Sequence, residues 1–241
     1  MLLQFLTRQT LVSRKKNLRI YRAPAGDSNC IWKCCPMTDP AMVEAFRDEY
    51  ETVRFLNHPS IPAYLGHFNH CTVGDCDGLW SVLCIEECPG VPVKKAASDM
   101  PNRFMLNILR ETGHLLSYLL DSGIIYTDLN LSNLLLRPLP ESTRLYLVDY
   151  TCSYYFLRNP NPSYSLCFSY DLSPDLKGQQ LLIQELAFLF EDMIRTRADE
   201  KKDSELSSSV LSLYEAGKDP SPSLSLQDYL SQIDYCLKSQ S

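Results

Sequence analysis

Gly123-Ile124-Ile125-Tyr126-Thr127-Asp128-Leu129-Asn130-Leu131-Ser132-Asn133-Leu134-Leu135-Leu136, followed downstream by Leu145-Tyr146-Leu147-Val148-Asp149, is the stretch on which the reading of this chain turns. An aspartate is followed five residues on by an asparagine, then by an apolar run, a proline-rich turn and a second apolar run that ends in another aspartate. In isolation Asp128 and Asn133 are ordinary turn residues, because both types hydrogen-bond their own backbone. Asp149 alone is an ordinary strand-end residue. What stands elsewhere in the chain decides between these readings.

Upstream, Phe104, Met105, Ile108, Leu109, Thr112, Leu115, Leu116, Leu119 and Leu120 recur at helical spacing. They predict a long helix that Asp99 and Pro101 open and Asp121-Ser122-Gly123 ends. Closer to the N-terminus the period changes. Residues 3–12, 18–23 and 29–35 read as strands. They are separated by the polar, basic Ser13-Arg14-Lys15-Lys16-Asn17 and by the turn Pro24-Ala25-Gly26-Asp27-Ser28. Asp39 caps a helix that Pro40 begins and on which Val43, Phe46, Tyr50 and Val53 recur. Asn57-His58-Pro59 closes it, because the residue before a proline avoids the helical region. Residues 62–70 and 79–87 read as two further strands around a turn with Gly74 and Asp75. The first half is therefore a five-stranded sheet with one inserted helix.

Downstream, residues 150–178 are irregular and rich in Tyr, Pro and Ser, and 181–194 read as a buried helix, apolar almost all round. Residues 199–209 are charged and Ser-rich. Two short helices follow, one running to Tyr214 and stopping at Gly217, the other starting after Ser225 with Asp228 at its capping-box position.

Composition bounds the rest. The 241 residues are 45% hydrophobic with a formal charge of -6, enough apolar content for real cores. The charge is spread out, and no basic stripe marks a nucleic-acid footprint. Every apolar run breaks before bilayer length, and Met1 to Arg8 is too short and polar for a secretory signal. The expected compartment is the reducing cytoplasm, where the ten cysteines stay free thiols. Cys30, Cys34, Cys35, Cys84, Cys152 and Cys167 sit in apolar runs as small hydrophobes. His67, His70, Cys71 and Cys76 cluster in sequence, but their spacing matches no zinc pattern closely. A metal site and an ordinary hairpin are the two readings there.

The Asp128, Asn133 and Asp149 spacing suits phosphoryl transfer from a metal-bound nucleotide. One carboxylate orients the attacking hydroxyl; an amide oxygen and a second carboxylate hold the metal ions that neutralise the phosphates. The stretch resembles the catalytic loop and metal-binding motif of protein kinases. The resemblance implies that Asp128 is the catalytic aspartate and that Asn133 and Asp149 bind magnesium. Asn29-Cys30-Ile31-Trp32-Lys33 resembles the strand carrying the lysine that contacts ATP phosphates, here Lys33. Glu49, on the same helix face as Phe46 and Val53, falls where the helix glutamate pairs with that lysine. An unpaired buried lysine is costly, and Glu49 relieves that cost. Ile85-Glu86-Glu87-Cys88-Pro89-Gly90 resembles the hinge, with Ile85 as gatekeeper. Ile31, Ile85, Glu86, Cys88 and Leu135 are then the residues at the nucleotide, beside Lys33. Ser173-Pro174-Asp175 resembles the end of an activation segment. "LNHPSIP" (56–62) and "GIIYTDLNLSNLLL" (123–136) look most like Ser/Thr kinases of Gram-positive bacteria. The implied architecture is α+β and two-lobed: residues 1–87 a five-stranded antiparallel N-lobe with one helix, residues 88–241 a truncated, mainly helical C-lobe.

The sequence also departs from that pattern. Ser13-Arg14-Lys15-Lys16-Asn17 replaces the glycine-rich phosphate loop, so backbone N–H contacts to phosphate are lost, with Lys15 and Lys16 as partial substitutes by charge. Tyr126-Thr127 replace His-Arg, which leaves a phosphorylated activation segment without its arginine. Asn130 stands where Ser/Thr kinases carry a lysine. Tyr150-Thr151 follow Asp149 instead of Phe-Gly, and a β-branched Thr resists glycine's backbone angles. Ile31 is bulkier than the small residue that roofs the adenine. The core-helix aspartate is missing. Three functions stay open: an ATP-dependent Ser/Thr protein kinase of weak or specialised activity, a pseudokinase used for protein contacts, and a small-molecule kinase. Nucleotide and a protein substrate or binding partner are the expected partners.

Overall fold

The computed structural model describes residues 9–15, 17–26, 28–74, 76–139, 143–151, 154–155, 176–197 and 208–239. The chain divides into two compact units, Met1–Pro89 and Gly90–Ser241.

In the first unit, β1 (Thr10–Lys15), β2 (Leu18–Ala25), β3 (Ser28–Pro36), β4 (Tyr64–Cys71) and β5 (Trp80–Glu86) form a five-stranded sheet. Its order is β1-β2-β3-β5-β4 and every neighbouring pair is antiparallel. Helix α1 (Pro40–Val53) lies between β3 and β4 in the chain. The interior strand β5 reads WSVLCIE, a near-continuous apolar run, as suits a strand covered on both faces. Side-chain alternation puts Ile31, Lys33, Leu83 and Ile85 on the α1 face and Cys30, Trp32, Cys34, Val82 and Cys84 on the other. On that other face the segment after β4 folds back, and Val73 is buried with Tyr21, Cys34, Trp80 and Val82. The Arg19 guanidinium stacks 4.8 Å above the Trp80 ring.

The cap of α1 follows the sequence: the Asp39 carboxylate accepts the Met42 N–H at 3.2 Å, and Pro40 fills the first helical position. The helix stops at Val53, short of the Asn57-His58-Pro59 boundary. The first strand also needs correction. It runs on through Lys15, so Ser13-Arg14-Lys15 is strand and not connection, and Lys15 pairs directly with Leu18. An edge strand tolerates such charge because its free edge faces water. Residues 3–8 of the expected strand lie outside the described residues.

In the second unit, β6 (Val91–Pro92), β8 (Leu134–Pro138) and β9 (Thr143–Leu147) form a three-stranded sheet ordered β6-β8-β9. The short β7 (Ile124–Ile125) pairs with β10 (Tyr154–Tyr155). Around them stand α2 (Val93–Ala96), a 3-10 turn (Ala97–Asp99), α3 (Asn102–Asp121), α4 (Leu176–Thr196), α5 (Ser208–Lys218) and α6 (Leu226–Ser239). Met105, Leu109, Leu116, Leu186, Phe190 and Ile233 are buried in this unit. Helix α3 starts at Asn102 with Pro101 at its cap, and Asp99 instead closes the preceding 3-10 turn. Gly123, at φ +82, ends α3 as the sequence implies. Gly217 does not end α5, which continues to Lys218. A Cβ on Gly217 would collide with the Tyr229 hydroxyl and lie 2.8 Å from the Ala187 Cβ. The glycine there permits close helix packing. The Ser225 capping box forms, with Ser225 Oγ accepting the Asp228 N–H at 3.1 Å.

Candidate functional site

In the first unit, β3 carries Lys33 inward and α1 presents Glu49 to it. Lys33 Nζ donates to Glu49 Oε1 at 3.0 Å and Oε2 at 2.8 Å. Both groups are buried, Lys33 at 5% exposure and Glu49 at 2%. Tyr64, at the start of β4, donates its hydroxyl to Glu49 Oε1 at 2.5 Å. An ion pair this deep is held by its hydrogen bonds, because desolvation offsets most of the Coulomb attraction. Lys33 Nζ also lies 5.9 Å from the centre of the Phe46 ring. On the same sheet face Ile31 stands directly across from Ile85, and Lys33 across from Leu83. Glu86 ends β5, where its N–H donates to Ala63 O at 2.8 Å and its carboxylate accepts the Ala63 N–H at 3.1 Å. The Cys88 thiol is pushed up to about 12 by burial and then by the charges of Glu86 and Glu87.

In the second unit, the loop between β7 and β8 places Asp128 on the surface. Two amides bracket its carboxylate. Asn130 Nδ2 donates to Oδ1 at 3.2 Å, and Asn133 Nδ2 donates to Oδ2 at 2.9 Å. Both amides also donate to the Asp128 carbonyl at 3.0 Å. Asn130 Oδ1 accepts the Ser132 N–H at 3.0 Å, a local turn that shapes the loop. The loop is tied to the end of β9 by the Val148 N–H, which donates to Asn133 O at 2.9 Å. Tyr126 makes a second tie: its buried hydroxyl is shared between Val148 O at 2.9 Å and Asp149 O at 3.1 Å. Burial first, then neighbouring Tyr150, Asp149 and Asp128, raise the Tyr126 phenol well above its ordinary value, so it stays a donor. The Tyr126 and Tyr150 rings meet edge to face at 5.2 Å.

Asp149 has φ +66, in the left-handed region that non-glycine residues seldom adopt. The strain expected at Thr151 falls instead on Asp149, a residue type that tolerates it. Thr151 Oγ1 donates to Asp149 Oδ1 at 2.8 Å. The described loop thus brings Asp128 and Asn133 together and holds Asp149 by its backbone. Leu135 is half-buried on β8, across from Pro92 and Tyr146. Nearby, a Cβ on Gly90 would lie 2.9 Å from Leu136 O, so only glycine permits that approach.

The His67, His70, Cys71 and Cys76 cluster is divided between the two faces of the sheet. His67 is on the α1 face, where its Nε2 meets Ser81 Oγ at 2.9 Å and its ring lies 6.4 Å from that of Tyr50. Cys71 and Cys76 pack behind the sheet, where the Cys76 sulfur contacts the Arg19 guanidinium and lies 3.4 Å from the Tyr21 hydroxyl. Ser173-Pro174-Asp175, Cys152 and Cys167 lie outside the described residues.

Sequence reading passed over three polar groups. Tyr64 gave no signal beyond an aromatic at a strand start. Asn130, read as a lost lysine, hydrogen-bonds the Asp128 carboxylate. Glu185 was absorbed into an apolar run, although a lone acid inside such a run is itself a signal.

No protein-family model matches the chain. Over 104 residues, 42% of this chain, it is 30% identical to the serine/threonine-protein kinase PknA of Mycobacterium tuberculosis, and equally to PknA of Mycobacterium bovis. The chain spans about a quarter, 24%, of the length of the curated relatives it matches. The likeness points to a kinase-like relationship, and the five-stranded antiparallel sheet with its helix is compatible with the smaller lobe of a kinase. Among the described residues, no helix is long and apolar enough to cross a membrane.

Proposed function

We propose that this chain is a two-lobed, kinase-like ATP-binding protein that transfers the terminal phosphate to a Ser/Thr hydroxyl of a protein. In this reading residues 1–87 and 88–241 are its lobes. The observation that carries it is the buried Lys33–Glu49 pair, 2.8 Å apart, on the same sheet face as Ile31 and Ile85. A hydrophobic pair would serve packing as well or better, so retention of a buried lysine here points to an anionic ligand. The partial likeness to a Ser/Thr kinase supports the same reading.

Lys33 holds the nucleotide phosphates and Glu49, steadied by Tyr64, orients Lys33. Ile31, Ile85 and Leu135 contact the base, and the backbone about Glu86 and Cys88 lies at its edge. Asn133 and Asp149 fit a magnesium ion, which commonly takes one or two protein oxygens and completes its shell with phosphate and water. With Asn133 Nδ2 engaged by Asp128, its carbonyl oxygen is the ligand atom. When bound, magnesium supplies charge neutralisation at the phosphates. Asp128 orients the acceptor hydroxyl and takes its proton.

A second reading, nucleotide binding without transfer, is favoured by the two amides that occupy both oxygens of Asp128. The tight β1–β2 hairpin supports it as well. Asn17 Nδ2 donates to Asp39 Oδ2 at 3.1 Å, which ties that hairpin to the start of α1. Purified chain with magnesium and γ-labelled ATP separates the two. Transfer above the level of Asp128→Asn supports the kinase; equal labelling with a nucleotide-dependent rise in Tm supports the binding module. No rise in Tm and no labelling would remove both.

A further inference from the structure

Glu49 is held from two strands that are not neighbours. In the sheet of the first unit, β5 runs between β3 and β4. Lys33 on β3 stands across from Leu83 and Tyr64 on β4 stands across from Ile85, so both reach the α1 face from either side of β5. Strands two apart lie about 9–10 Å from each other, and the Glu49 carboxylate bridges them. Lys33 Nζ reaches Oε2 at 2.8 Å and Oε1 at 3.0 Å, and the Tyr64 hydroxyl donates to Oε1 at 2.5 Å. The oxygen with the longer bond to the ammonium is the one the phenol takes. All three side chains are buried, Tyr64 at 8% exposure. A phenylalanine at position 64 would fill the same space, so packing accounts for the ring and not for the hydroxyl. A second cation at Oε1 would repel Lys33. A neutral donor fixes the carboxylate and leaves its charge to the ammonium.

We propose that Tyr64 is a positioning residue for Lys33: donating from β4, it fixes the plane of the Glu49 carboxylate, and the fixed carboxylate holds the ammonium where an anionic ligand meets it. With Lys33 as its one anchor, the carboxylate would turn about its last side-chain bond and carry Nζ with it. A second anchor on the far side of β5 stops that rotation and ties α1 to the sheet at a further point. The position of Lys33 is then set by the chain and not by what it binds, which lowers the ordering cost of binding. That the ligand is the phosphate chain of ATP rests on the kinase reading above; the relay from Tyr64 through Glu49 to Lys33 does not.

The test uses the full chain, and its first measurements need no nucleotide. Nitrogen-15 NMR of labelled lysine is expected to show an ammonium signal protected from exchange with water and absent in Lys33→Met. In Tyr64→Phe, which keeps the ring, that exchange should quicken roughly tenfold. In the wild-type chain the Tyr64 hydroxyl proton should itself be visible in slow exchange, as a phenol open to water is not. An ammonium signal unchanged in Tyr64→Phe, or a Tyr64 hydroxyl that exchanges too fast to see, overturns the proposal. Titrations with ATP and with adenosine then separate positioning from packing. If the wild-type chain binds ATP, Tyr64→Phe should weaken ATP roughly tenfold and leave adenosine, which has no phosphates, unchanged. Equal affinity for ATP in the two chains, or an equal loss for ATP and adenosine, overturns the proposal. If the wild-type chain binds neither, the kinase reading falls, and the two exchange measurements still decide the relay.

Discussion

The two polar constellations of this chain have opposite energetics. Lys33 and Glu49 are dry, facing each other and Tyr64 inside the first unit. Asp128 is at the surface of the second unit, bracketed by two amides. Removing one member of the buried pair leaves a charge in a dry site without its oppositely charged neighbour. Removing the exposed carboxylate leaves two amides that still donate to the Asp128 carbonyl and can turn to solvent. The same kind of substitution therefore reads out stability at one place and, in the kinase reading, chemistry at the other. An assay that sees only activity confuses them.

The largest effect should come from Glu49→Ala, which is expected to destabilise the chain by about 3–5 kcal/mol by stranding Lys33, seen in denaturant melts. The double variant Lys33→Met with Glu49→Leu should recover most of that loss. If it does not, the pair contributes net stability and the contrast sharpens further. Next, Tyr126→Phe takes the donor from the Val148 and Asp149 carbonyls and should cost about 1–3 kcal/mol. A smaller loss would mean water replaces the hydroxyl. Glu185→Gln should change stability in a pH-dependent way. The wild-type carboxyl, raised by burial, holds its proton to about 7 when folded, against an ordinary 4.5. Between those values the unfolded state binds fewer protons, so wild-type stability falls as pH rises. The Tm advantage of Glu185→Gln should therefore widen across that window, and a constant difference would refute the assignment. The smallest stability effect is Asp128→Asn, within about 0.5 kcal/mol, with phosphate transfer lost if the chain is a kinase. A large destabilisation there would erase the distinction between the two constellations.

Legibility followed physical locality. Alternation, turn residues and the Asp39-Pro40 cap made the strands and α1 readable, because those signals lie within a few residues of what they control. The β1 boundary failed where the charge of Ser13-Arg14-Lys15 looked like a loop, yet an edge strand accepts charge. Gly217 failed because its reason for being glycine, the Tyr229 hydroxyl, belongs to another helix. Lys33 was legible because an apolar strand advertises a buried lysine, and Glu49 as its partner followed from the kinase resemblance. Tyr64 and Glu185 were not, since each acts across a distance in sequence that no spacing rule encodes. The bracketing of Asp128 by Asn130 and Asn133 was not legible: the spacing marked Asn133 as a metal ligand and Asn130 as a lost lysine, and neither reading carries an amide-to-carboxylate bond.

The left-handed backbone at Asp149 has a consequence for how this position tolerates variation. Glycine and asparagine are at ease in that conformation. A library randomised at position 149 and screened only for folded protein should therefore drift towards those two residues. In the kinase reading, selection for phosphate transfer should return aspartate alone. Comparing the two populations would tell inherited shape apart from inherited chemistry at a single codon.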